Sequence, residues 1–251
     1  MSLNFMIHCG GTEVERSALL DVQMPNATRS YQPVAYSYFA DLIEDRLYDH
    51  GFKFGEQAHA LNHEGQQYFG MAELKNGDTM ADDWALVAGW RTSTDKSIAN
   101  CFVVGSQVFV CDNLAFSGEV QIGRKHTTGV LRDLPDMITN AVKRTGALAI
   151  SQNERYAGYK EVGMKDAVVN HTIVQMFRQG IMSSSRIGKV VNEYYEPSHV
   201  EHLDPNGNRT NWTLFNAATE ALKKSGLNQL PQRTIKLHNL MDRATEYAIA
   251  A

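Results

Sequence analysis

The chain has 251 residues, 43% of them hydrophobic and 21% charged, with a formal net charge of −4. That length can bury a substantial core, that composition excludes a disordered or fibrous chain, and that charge excludes a uniformly basic nucleic-acid binder. The charge is uneven, however. Residues 1–100 hold 7 Lys+Arg against 14 Asp+Glu, residues 101–251 hold 17 against 14, and residues 124–189 hold 11 against 5. A basic face on an acidic protein is compatible with these counts. The three cysteines, Cys9, Cys101 and Cys111, cannot all pair with one another. Two of them sit in apolar β-runs, where a thiol packs as a small hydrophobe, so a reducing cytoplasm is the expected location. The start, MSLNFMIHCGG, has no positive n-region, and no apolar run approaches the roughly 20 residues of a membrane span.

In chain order, Glu13–Val22 fits either a short strand or a helix, and PNATRSYQP reads as an extended loop. Tyr36–His50 is predicted helical, because Phe39, Leu42, Ile43 and Leu47 recur at helical spacing and Gly51 stands where a C-cap belongs. Its other face carries Asp41, Glu44, Asp45 and Asp49, a solvated face by default and an acidic metal patch as the alternative. Strands are predicted at Lys53–Asn62, Gln66–Leu74 and Ala85–Thr92, with turns at His63-Glu64-Gly65 and Asn76-Gly77. Cys101–Cys111 is a further β-run, with Gly105-Ser106 as a candidate tight turn inside it. A polar segment, Asp112–Gly118, and the basic cluster Arg124-Lys125-His126 follow.

From Gly129 the periodicity becomes helical. Pro135 suits a first helical turn behind Asp133, and Ile138, Ala141 and Val142 form an apolar stripe. Further helices are predicted over Val162–Gln179, Ser185–Tyr195, Trp212–Lys224 and Gln232–Ala250, with HLDPNGNRT as a turn-rich loop. With no internal repeat and no evident linker, the expected organisation is one α+β domain. Residues 36–127 would supply a helix and an antiparallel meander, and residues 128–251 would be mainly helical.

The chemistry-bearing residues fall into a few groups. Arg124, Lys125 and His126, then Lys143 and Arg144, then Arg155 and Lys160, form a succession of basic positions, with Tyr156 and Tyr159 among them. Cations neutralise phosphates and aromatic rings stack on unpaired bases, a mixture suited to single strands. The competing reading is solvated charges around partly buried tyrosines. Cys111 with His126 would be a nucleophile and base, but an apolar strand favours a structural thiol. His199 and His202 have metal-ligand spacing without a second ligand pair. Asp95, Asp112 and Glu119 with Lys125 match no defensible nuclease pattern. There is no P-loop, dinucleotide fingerprint, GxSxG or CxxC.

The run VFVCDNLAFSG followed by RKHT resembles the signature of phage- and plasmid-type proteins in domain-of-unknown-function family 932. RTSTDKS is similar to a polar element of that family, NWTLFNAATEAL to its Trp–Asn-Ala–Thr element, and HCGGTEVERSALLDVQMPNATRSYQPVAY to its opening. Together these cover nearly the whole chain. One departure is Tyr36, where the family often has His, so no role resting on a histidine carries over to that position. The resemblance implies a phage or other mobile-element origin and no settled activity. The order helix, meander, helices also resembles the core of phage single-strand annealing proteins such as the Erf and Red-beta groups, which hold single-stranded DNA against a basic groove in rings or filaments. By that analogy the leading expectation is a cytoplasmic, homo-oligomeric, non-enzymatic binder of single-stranded DNA. It would have no cofactor and no metal, phosphate contacts from the basic residues above, and stacking by Tyr156 or Tyr159. A phage protein that binds or inhibits a host factor through the acidic first hundred residues is the alternative, and a metal-dependent nuclease ranks third.

Overall fold

The alternating segments of the first half become strands and the periodic segments of the second half become helices. The computed structural model describes residues 11–75, 84–108, 113–223, 225 and 229–250. Cys9, the Asn76-Gly77 turn, Cys111 and Asp112 lie outside them. Six strands, β1 (Thr12–Val14), β2 (Lys53–Asn62), β3 (Gln67–Lys75), β4 (Trp84–Ser93), β5 (Asn100–Val108) and β6 (Asn113–Arg124), form one antiparallel sheet in chain order. Among the described residues there are six α-helices: α1 (Tyr36–Asp49), α2 (Val130–Glu161), α3 (Asp166–Arg178), α4 (Ser184–Tyr195), α5 (Asn211–Leu222) and α6 (Leu230–Ala250). The protein is α+β, with the sheet in the first half and most helices in the second. Among the described residues no helix is long and apolar enough to cross a membrane.

The segment Glu13–Val22 divides: β1 pairs with the end of β2, and a 3-10 turn covers Arg16–Leu20. The turn between β2 and β3 has positive φ at His63, Glu64 and Gly65, and only the glycine adopts that region without strain. One expectation about the sheet needs correction. Gly105-Ser106 does not split its run, since β5 continues through both residues. The polar segment after it is strand from Asn113 onward, since β6 runs from Asn113 to Arg124. Ladder hydrogen bonds are indifferent to side-chain polarity, so a polar sequence can still be strand once a neighbour pairs with it. Likewise α2 begins at Val130, which places Pro135 within the helix rather than in its first turn. It also continues through Gly146 and Gly158 to Glu161, taking in the whole NERYAGYKE run.

By packing, the chain forms two compact units: residues 1–106 with 118–148, and residues 107–117 with 149–251. In the first unit, β3 is buried at every residue from Tyr68 to Ala72, so both faces of the central sheet are covered. On one face the pairing sets His59, Gly70 and Trp90 side by side. A Cβ at Gly70 would overlap the Trp90 indole, so the missing side chain makes room for that ring. The Tyr36 ring of α1 stacks on Tyr68 at 5.2 Å, and its hydroxyl donates to the Gln66 carbonyl at 2.6 Å.

In the second unit, α5 is buried on all sides, as expected of the central helix in a bundle. Its polar residues turn to the backbone instead of to water. Thr210 and Thr213 form a capping box, Asn211 donates to the Met241 carbonyl, Asn216 to that of Trp212, and Thr219 to that of Phe215. Helices α4 and α6 pack against α5, and α3 packs against α6 and α4. The NWTLFNAATEAL segment is therefore the centre of a core. Burial of Asn and Thr there is tolerable because each side chain makes at least one hydrogen bond, although Asn211 Oδ1 has no partner among the described residues.

Candidate nucleic-acid interface

Arg124 ends β6 at the approach to α2. Its Nε and Nη2 donate to Asp133 Oδ2 at 3.1 and 2.8 Å, and its Nη1 donates to the Lys125 carbonyl and to Thr127 Oγ1 at 3.1 and 2.7 Å. All three nitrogens of the guanidinium are engaged, so this side chain clamps the strand end to the first turn of α2. Hydrogen bonds from Arg124 and Arg132 hold the Asp133 carboxyl below the usual carboxylate range.

His126 is buried. Its Nε2 lies 3.0 Å from the Ile98 carbonyl oxygen, and its Nδ1 lies 3.4 Å from the amide nitrogen of Asn100. Asn100 also donates to the Arg124 carbonyl and accepts from Thr92 Oγ1. The pattern requires a neutral ring with its proton on Nε2, and burial accordingly pushes its pKa down. The basic cluster thus contributes two structural latches, Arg124 and His126, and one solvent-facing cation, Lys125.

Lys143 and Arg144 stand on the exposed side of α2. Together with Lys125 they have no acidic partner among the described residues of the first unit. In the second unit the candidate cations Arg155 and Lys160 are engaged. Arg155 Nε is 3.2 Å from Asp242 Oδ1, and the Tyr159 hydroxyl donates to the same carboxylate oxygen at 2.6 Å. Lys160 lies over the Trp212 ring, 5.2 Å from its centroid.

Tyr156 and Tyr159 are each 1% exposed. Tyr156 is packed against Trp212, Phe215 and His238 at 5.0, 5.5 and 6.0 Å between ring centroids, and Tyr159 against Phe215 at 5.5 Å. The expectation that either ring stacks on a nucleic-acid base is therefore wrong. Both point into the core from the buried side of α2, which the run NERYAGYKE alone does not reveal. His238 completes this aromatic cluster. It is fully buried, neither ring nitrogen has a hydrogen-bond partner among the described residues, and its pKa falls to about 3.

The remaining candidates resolve as follows. The rings of His199 and His202 are 5.2 Å apart, and burial lowers the pKa of His202 to about 4. The nearby Glu193 carboxylate accepts from Ser198 N and Oγ at 2.8 and 2.7 Å. Among the described residues no three His, Cys, Asp or Glu side chains are placed to hold a metal ion. Asp95 accepts from Ser97 N and Oγ and so shapes the turn within RTSTDKS. On the acidic face of α1, Asp41 and Glu44 share Arg16, and Asp49 pairs with Arg46.

Sequence reasoning also passed over a groove of about 650 Å³ between α3 and α6. Its floor is apolar, with Val168, Leu240 and Ala244, and its mouth carries His171, Arg243 and Tyr247. Lys236 Nζ donates to the Gln179 carbonyl at 3.2 Å, and Arg243 Nη2 to Gln179 Oε1 at 3.3 Å, both from α6 toward the end of α3. The available signal was the four-residue spacing of Arg243 and Tyr247, which sets them on one side of a helix. Compared with known proteins, the chain matches no family model, no curated protein and no solved structure.

Proposed function

We propose that this protein binds single-stranded DNA without catalysing a reaction on it, as part of a phage or related mobile element. The observation that carries the reading is the contrast among its basic residues. Arg124 and Arg155 are occupied by carboxylates, whereas Lys125, Lys143 and Arg144 face solvent with no acidic partner among the described residues. Cations left unneutralised at a surface are the groups that can displace counterions from a phosphate backbone. The same reading includes membership of domain-of-unknown-function family 932, as its motifs imply, and assembly into homo-oligomers, by analogy with phage annealing proteins. The acidic face of α1 supports a host-factor role less well, since three of its four carboxylates already have arginine partners.

The test is fluorescence anisotropy with a labelled oligothymidylate across a salt series. Three neutralised phosphates correspond to a slope of log K against log salt of about −2. Replacing Lys125, Lys143 and Arg144 together by alanine is expected to lower the magnitude of that slope by about 2 and to weaken binding severely, while leaving the circular dichroism spectrum unchanged. Folded wild-type protein that fails to bind at low salt would refute the proposal.

A further inference from the structure

We infer that the groove between α3 and α6 is the pocket for an unstacked nucleobase, with Tyr247 as the stacking ring and Arg243 as the phosphate contact. This inference rests on the single-stranded-DNA reading and supplies the aromatic surface that the buried Tyr156 and Tyr159 cannot.

Four features of the second unit converge on this class of ligand. First, the volume of about 650 Å³ lies within the range of small-molecule sites. Second, the apolar floor suits the face of a flat heterocycle, while the amides of Gln175 and Gln179 along the wall can pair with its polar edge. Third, Tyr247 is 64% exposed and lines the groove at its mouth. A ring left in water beside an apolar floor forms a platform on which a base can stack. Fourth, among the described residues the lining contains no carboxylate, and its charged side chain is Arg243. Lys236 approaches the same end of the groove through Gln179, so the local charge complements a phosphate. Arg243 spends one nitrogen on a neutral amide, leaving the rest of its fork available for an anion.

The experiment uses the full chain and a fluorescein-labelled oligothymidylate at low salt, with Tyr247→Ala, Tyr247→Phe and Arg243→Ala variants. Both positions are exposed, so the variants are expected to fold, and circular dichroism checks this. Loss of one stacked base is expected to weaken binding about tenfold in Tyr247→Ala. Tyr247→Phe keeps the ring and is expected to retain the affinity. Arg243→Ala is expected to reduce the salt slope by about 0.7. Wild-type affinity in both alanine variants, with binding still lost in the Lys125, Lys143 and Arg144 variant, would overturn the pocket and leave the broader reading standing. Absence of binding by the wild type would overturn both.

Discussion

Tyr68→Phe is the sharpest test of the physical account of the first unit. The Tyr68 hydroxyl accepts from Trp90 Nε1 at 2.8 Å and sits 2.9 Å from His59 Nδ1. An indole N–H can only donate, so the hydroxyl proton is directed to the histidine, which is then neutral with its own proton on Nε2. Burial lowers the pKa of His59 to about 4, in keeping with that state. Removing one oxygen therefore strands a buried donor and a buried acceptor together. Each stranded group costs about 1–3 kcal/mol, and partial relaxation of the rings favours the lower end, giving about 3 kcal/mol in total. At roughly 2–4 °C per kcal/mol for a chain of this size, the melting temperature should fall by about 6–12 °C. Thermal unfolding followed by circular dichroism measures it, with Tyr48→Phe as a control at an exposed position. A Tyr68→Phe variant within about 0.5 kcal/mol of wild type would show that water or a shifted ring satisfies these groups, and the account would be wrong.

Acid should unfold the protein through its buried histidines. Unfolded histidine titrates near 6.5, whereas in the fold His59 and His202 titrate at about 4 and His238 at about 3. Between those values the unfolded chain holds the extra protons, so stability is level above about pH 6.5 and falls as the pH drops toward 4. By pH 4 each histidine contributes on the order of 3 kcal/mol to that loss. Denaturant midpoints that stay constant from pH 7 to pH 4 would contradict it. Arg124→Ala should act on stability rather than on DNA, because its guanidinium is held by Asp133 and its neighbours. The expected outcome is a modestly lower melting temperature with oligonucleotide affinity retained. Melting and anisotropy on the same variant decide between the two roles.

Much of the fold was legible because local rules agreed with the tertiary outcome. Phe39, Ile43 and Leu47 lie at helical spacing and are all buried, and Gly51 has the positive φ that a helix terminator needs. Strand β2 matches its sequence range residue for residue. Those signals are local, since period and turn chemistry act within a few residues. The continuation of β5 through Gly105-Ser106 and the strand character of β6 were not legible. Pairing with a neighbour elsewhere in the chain supplies the hydrogen bonds that make a polar segment extended.

For the candidate site, the sequence by itself determined which residues are cationic and that they concentrate between Arg124 and Lys189. It could not determine which of them stay free. Asp133 lies nine residues from Arg124, and Asp242 lies far along the chain from Arg155, yet each carboxylate consumes one candidate cation. The side of α2 that faces the aromatic core likewise decided that Tyr156 and Tyr159 are internal, while Tyr247 remains in solvent. Composition sets the inventory of charges and rings. Burial and pairing depend on distances between segments remote in sequence, so only the tertiary structure decided which of those groups a partner can reach.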